Sequence, residues 1–227
     1  MEFTRYAVYH TAAPHSALAA FGAAWLGWDS AAGQRVPHLD VPGLDVAALT
    51  QRPRKYGFHG TIKAPFRLAP GRRAAELADD LDCLTARAAP VRLDGLHLAR
   101  LGRFLALVPV GEDAALRALA AQAVTALDHL RAPLSEAERA KYAARRLRPE
   151  EAALLERWGY PFVMEAFRFH MTLTGPLADD RAVMDALAPH VAALPLRPYT
   201  IDALTMMGEA PDGQFHEIAR FALRGAG

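Results

Sequence analysis

The amino-acid sequence predicts an α+β fold, built as a bilobal pseudo-twofold duplication. Each lobe is expected to be an antiparallel sheet with outer helices, and a central cleft should separate the lobes. Three observations predict this. Residues 58–65 read Phe-His-Gly-Thr-Ile-Lys-Ala-Pro and residues 169–176 read Phe-His-Met-Thr-Leu-Thr-Gly-Pro, identical at four of eight positions. Each copy is followed by a stretch of helical periodicity and then by two strand-like runs. The chain has 227 residues, 52% hydrophobic and 22% charged, enough for one large core or two small lobes without a disulfide or metal staple.

The elements follow in order. Tyr6 to Thr11 is an opening strand, and Ser16 to Gly27 a short helix. Asp29 to Pro53 is rich in Gly, Pro and Asp and is expected to be irregular. The first motif strand comes next, then a helix over Arg72–Ala88 with leucines at 77, 81 and 84. Strands are expected at 91–98 and 103–110, and a helix at Glu112–Leu130. Ser135 to Tyr160 is helical, Arg-rich and punctuated by prolines. After the second motif the pattern returns, with a helix over Asp180–Leu194 and strands at 199–206 and 215–222. The expected lobes are residues 1–132 and 133–227, with 133–165 a helical connecting segment.

Several function classes are excluded at this stage. The net charge of +1 gives no whole-molecule grip on nucleic acid or anionic lipid, so anion binding must be local. The single cysteine, Cys83, rules out an intrachain disulfide and a thiolate zinc site. The start of the chain is not patterned as a signal peptide. The longest nearly apolar stretch, Ala17–Trp28, is shorter than the roughly 20 residues a membrane span needs. A cytoplasmic protein with no membrane association and no obligate protein partner is the expectation.

The repeat carries the chemistry. In a strand, alternation puts His59 and Thr61 on one face and Phe58, Gly60 and Ile62 on the other; His170 and Thr172 stand likewise opposite Phe169, Met171 and Leu173. A structural repeat could preserve His and Thr as satisfied core residues. Polar positions alternating with apolar ones in both copies favour a shared cleft instead. Two imidazoles can divide the roles of base and acid at neutral pH, and in-line displacement at phosphorus needs that pair. Threonine hydroxyls can donate to the non-bridging phosphate oxygens. Continued alternation would place Lys63 on the cleft face, and Arg168 two residues before His170 would supply a second cation; the alternative for both is a solvated strand end. Tyr56 would hold a sugar or base, or pack as a core aromatic. The Arg139–Arg148 cluster reads as a solvated helix face, or as a flap over extra phosphates. No His-Glu-x-x-His, Asp-x-Asp or Gly-rich phosphate loop is present, so neither a metal nor a cofactor is expected.

These motifs resemble the 2H phosphoesterase superfamily, whose members carry two His-x-Thr motifs. Arg54 to Phe66, Trp158 to Pro161 and Phe167 to Gly175 further resemble a phosphonate-operon-associated subfamily of unknown function (DUF1045-like), as does the opening Arg5-Tyr6-Ala7-Val8-Tyr9. The resemblance implies metal-independent chemistry with both histidines as acid and base and both threonines as phosphate binders. It also implies a phosphodiesterase acting on a cyclic phosphate of a ribose, in a nucleotide, an RNA end or a sugar phosphate, with a link to phosphonate metabolism. A non-catalytic binder of phosphorylated ligands or RNA ends, or an RNA ligase-like protein, are the alternatives.

Overall fold

The computed structural model describes residues 2–225. Its elements, in chain order, are β1 (Arg5–Thr11), α1 (Ala17–Leu26), β2 (Trp28–Asp29), β3 (Gln34–Arg35), α2 (Val46–Leu49), α3 (Gln51–Arg54), β4 (His59–Phe66), α4 (Ala74–Arg87), β5 (Val91–Leu93), β6 (Gly95–Leu101), β7 (Phe104–Val110), α5 (Ala114–Ala126), α6 (Glu136–Ala143), α7 (Pro149–Trp158), β8 (Met171–Thr172), α8 (Arg181–Ala192), β9 (Tyr199–Ile201), β10 (Ala203–Glu209) and β11 (Phe215–Ala222). The expected helices form within a few residues of their predicted bounds, and their local signals explain why. Ser16 accepts the Ala19 N–H, and Gly27 ends α1 in the left-handed region at φ 72°. Among the described residues, no helix is long and apolar enough to cross a membrane.

Seven antiparallel strands form the main sheet in the order β11-β10-β1-β4-β8-β7-β6. Its middle is narrow, because β4 and β8 meet at a single pair, Gly60↔Met171. The sheet is therefore two halves, β11-β10-β1-β4 and β8-β7-β6, hinged on the two motif strands. A separate ribbon pairs β5 with β9, the equivalent strands of the two repeats. Helices α1, α4, α5 and α8 cover one sheet face. Val8, Ile62, Phe169, Met171, Leu105, Leu107, Leu204 and Met206 meet them in one apolar core.

The strand order corrects the expected lobes. The halves of the sheet are not residues 1–132 and 133–227. The order is symmetric when β1-α1-β4-α4-β5-β6 is exchanged with β7-α5-β8-α8-β9-β10, with β11 added at one edge. The repeat boundary thus falls at the β6–β7 turn, around Gly102, well before residue 132. Moreover β6 pairs with β7 and joins the half that contains β8, while β10 joins β1 and β4. Each half holds strands from both repeats. Two further expectations change. The 29–53 segment is not wholly irregular, since it holds the β2–β3 ribbon and the short helices α2 and α3. The strands foreseen at 91–98 and 199–206 each break at an aspartate, Asp94 or Asp202, so that one piece joins the ribbon and the other the main sheet. Asp202, at the break between β9 and β10, pairs with Arg220 at 2.7 Å.

Candidate active site

The Gly60↔Met171 pair decides the geometry. In an antiparallel register its flanking residues stand opposite one another, so His59 faces Thr172 and Thr61 faces His170 across the two strands. Gly60 and Met171 point to the apolar core, and the four polar residues share the other face. A side chain at Gly60 would not fit, because a Cβ there would collide with the Phe169 ring. The close approach of the two motif strands depends on that missing carbon.

The two imidazoles are held in the same way. His59 Nδ1 lies 2.9 Å from the Gly57 carbonyl, and His170 Nδ1 lies 2.8 Å from the Arg168 carbonyl. A carbonyl only accepts, so each ring carries its proton on Nδ1 and presents a bare Nε2 when neutral. The Thr61 hydroxyl, 3.1 Å away, donates to His59 Nε2. Gly57 reaches its position through a φ of +73°, and a Cβ there would strike the Ser30 hydroxyl. Burial pushes the His59 imidazolium down to about 4, against the opposing effect of the Gly57 carbonyl and with the His170 charge adding to the depression. Burial also lowers His170. Both rings are neutral at pH 7 in the free protein.

Residues outside the motifs shape the site. Tyr9 stacks on His59 with ring centroids 3.7 Å apart and planes 21° from parallel. Phe104 leans on His170 at 5.6 Å. A cavity of about 220 Å³ opens beside His59 and Thr172, and Arg52, Tyr56, Phe104, Thr174 and Gly175 also line it. Nothing in the local sequence marks Tyr9 or Phe104, which reach the histidines through strand pairing over roughly 50 to 65 residues of chain.

The remaining predicted residues divide. Tyr56 lies 6.0 Å from His59 and 5.2 Å from Phe215, with the Lys55 amine over its ring, so it both packs and lines the cavity. Arg168 contributes its carbonyl, while its side chain is exposed and outside that cavity. Lys63 does not reach the cleft, contrary to expectation. The β1–β4 register runs Thr11↔His59, His10↔Gly60, Tyr9↔Thr61 and then slips to Val8↔Lys63 and Tyr6↔Phe66. The bulge at Ile62 and Lys63 turns both onto the core face, where Lys63 is 3% exposed. Its amine donates to the Val124 carbonyl at 3.2 Å and faces Asp128 at 3.7 Å, and burial lowers it to about 8. Thr174 is buried, and its hydroxyl accepts the Leu105 N–H. The Arg139–Arg148 segment reads largely as a solvated face, since Arg139 pairs with Glu156 and Arg148 with Glu151.

Residues 61–216 match the family described as a protein of unknown function, DUF1045. The chain belongs to that family. A ribose 1,5-bisphosphate phosphokinase PhnN from Janthinobacterium sp. (strain Marseille) is 40% identical over 237 residues, covering 99% of this chain and 52% of the relative. A protein of the same name from Laribacter hongkongensis (strain HLHK9) is 40% identical over 173 residues, covering 76% of this chain and 40% of the relative. The chain thus spans about half the length of the curated relatives it matches. Among solved structures, TT0787 of Thermus thermophilus aligns over 98% of this chain and 100% of its own, at 16% identity and TM-score 0.44. E. coli LigT complexed with 3′-AMP aligns over 98% of this chain and 99% of its own, at 15% identity and TM-score 0.44.

Proposed function

We propose that the chain is a metal-independent phosphodiesterase that opens a cyclic phosphate on a ribose. The observation that carries this reading is the pairing of Gly60 with Met171, which sets two imidazoles and two hydroxyls alternately around one small patch. Such a patch matches the needs of in-line displacement, with a base on one side of phosphorus, an acid on the other and donors for the oxygens between. His59 is the base: its Nε2 carries no proton, its ring is held neutral, and the Thr61 hydroxyl that donates to Nε2 in the free protein turns to the bound substrate and frees it. It takes a proton from water as the water oxygen bonds to phosphorus. The bond from phosphorus to one ring oxygen breaks, and His170, protonated once the substrate's negative charge lies beside it, gives that oxygen its proton. Thr61 and Thr172 donate to the non-bridging oxygens. Proton exchange with solvent then restores both rings.

The relatives' name supports a phosphorylated ribose as the substrate class. A phosphokinase must cradle a nucleoside triphosphate, and this sequence has no Gly-rich phosphate loop. We assign the kinase activity of those relatives to their part outside the match, and to this chain a separate step on the same kind of sugar phosphate. The test is hydrolysis of a panel of nucleoside 2′,3′-cyclic phosphates in EDTA by the wild type, His59→Ala and His170→Ala. Turnover in EDTA that is lost in both variants supports the reading. Turnover that survives both substitutions, or tight binding without product, overturns it.

A further inference from the structure

The cavity beside His59 continues into a second recess. Arg52, Gly175 and Pro176 line both, and the second, of about 590 Å³, also holds Arg103 and Asp45. Arg52 stands on α3. Arg103 stands on the turn between β6 and β7, and its carbonyl accepts the Leu177 N–H at 2.6 Å, which pins that turn against the Pro176 segment. Two guanidinium groups from distant parts of the chain therefore border one hollow. Among the described residues neither makes an ion pair or a side-chain hydrogen bond. Arg54, two residues from Arg52, differs, because its guanidinium donates to the Leu26 and Ala47 carbonyls and to the Thr50 hydroxyl. Asp45 forms no ion pair with either arginine among the described residues; its Oδ1 accepts the Ala48 N–H at the start of α2. Two like charges around one recess repel each other, and a planar guanidinium matches the geometry of a phosphate in particular.

We propose that this recess is a second anion subsite, which takes the terminal phosphomonoester of a substrate whose cyclic phosphodiester lies at His59 and Thr172. The inference rests on the proposed phosphodiesterase reading and narrows it to cyclic phosphates of a ribose that carry a further phosphate. Arg52, at the junction of the two cavities, is placed to meet both ends of such a molecule.

The experiment compares adenosine 2′,3′-cyclic phosphate with the same compound bearing a 5′-phosphate. The expected wild-type preference in kcat/KM for the 5′-phosphorylated probe is about tenfold or more. That ratio should fall about tenfold in Arg52→Ala and in Arg103→Ala, chiefly through KM, with melting temperatures unchanged. A wild-type ratio near one, or a ratio that neither variant alters, overturns the subsite. If the wild type turns over neither probe, the phosphodiesterase reading fails by itself, and titration calorimetry with ribose 5-phosphate then decides the subsite. Binding that is lost in Arg103→Ala, which lies outside the histidine cavity, upholds it. Absent binding, or binding unchanged in both arginine variants, overturns it.

Discussion

The two copies of the motif start as closely similar octapeptides and end in different surroundings. The first lies on β4, an eight-residue strand with partners on both sides, whereas the second has only Met171 and Thr172 in β8. Tyr9 stands opposite Thr61 and covers the His59 ring. The equivalent position opposite Thr172 is Ala106, which leaves His170 without a stacked ring and with only the tilted Phe104 beside it. His59 Nε2 is engaged by Thr61, while His170 Nε2 has no protein partner among the described residues. The duplicated motif supplies the same four groups twice over. The difference in their surroundings comes largely from neighbours that the motif does not contain.

The largest effect tests that difference. Each of His59→Ala and His170→Ala should lower kcat/KM by about 10³- to 10⁴-fold on a poor leaving group, and the double variant should be little worse than either single one. A substrate with an activated aryloxide leaving group should restore much of the activity of His170→Ala and little of that of His59→Ala, since only the acid becomes dispensable. Equal rescue of both would remove the asymmetry. Next in size, Thr61→Val and Thr172→Val should each cost about 10²-fold in kcat. Thr61→Val should in addition disturb the pH profile, because that hydroxyl also touches His59.

The pH dependence sharpens the comparison further. With His59 titrating at about 4 and His170 below its ordinary value, kcat/KM should rise through about pH 4 and fall again before pH 6.5. Opening the stack with Tyr9→Leu should move the acidic limb upward, toward the ordinary histidine value, and leave the other limb in place. An alkaline optimum, or an acidic limb that Tyr9→Leu does not shift, would sink the role given to Tyr9. Stability should follow the same sign. His10, buried against the Tyr199 hydroxyl, is likewise depressed to about 4 by desolvation. Between pH 6.5 and 4 the unfolded chain protonates these rings and the folded one does not. Stability is therefore full above pH 6.5 and falls as the pH drops toward 4, by about 3 kcal/mol for His10. Urea unfolding across that range measures it.

The smallest effect concerns Lys63. With its amine on the core face, Lys63→Met should change kcat/KM by less than about twofold, and Asp128 keeps Arg131 as a partner. A loss of about tenfold or more would return Lys63 to the cleft and refute the bulge as the explanation of its position.

Much of the candidate site could be read from residue order alone. Alternation along Phe58–Ile62 and Phe169–Leu173 placed the four polar groups on the right face, because local strand geometry has a period of two. The same rule failed at Lys63, because one extra residue in β4 reverses every side chain after it, and a bulge leaves no compositional mark when both residues can be buried. Tyr9, Phe104 and Arg103 were silent for a different reason. Their roles depend on which strands pair and on which turn packs against which loop.

The sequence by itself determined the α+β class, the main helices and strands, the repeat and the identity of four polar residues, since all of these rest on local periodicity and internal similarity. The tertiary structure alone decided that β6 and β10 change places between the halves and that the repeat breaks at Gly102. It also decided that Tyr9 stacks on His59 while only a tilted Phe104 meets His170, and that two arginines border one recess. These are outcomes of pairing between distant segments, settled by how the whole chain buries its apolar faces at once, and no window of sequence contains that competition.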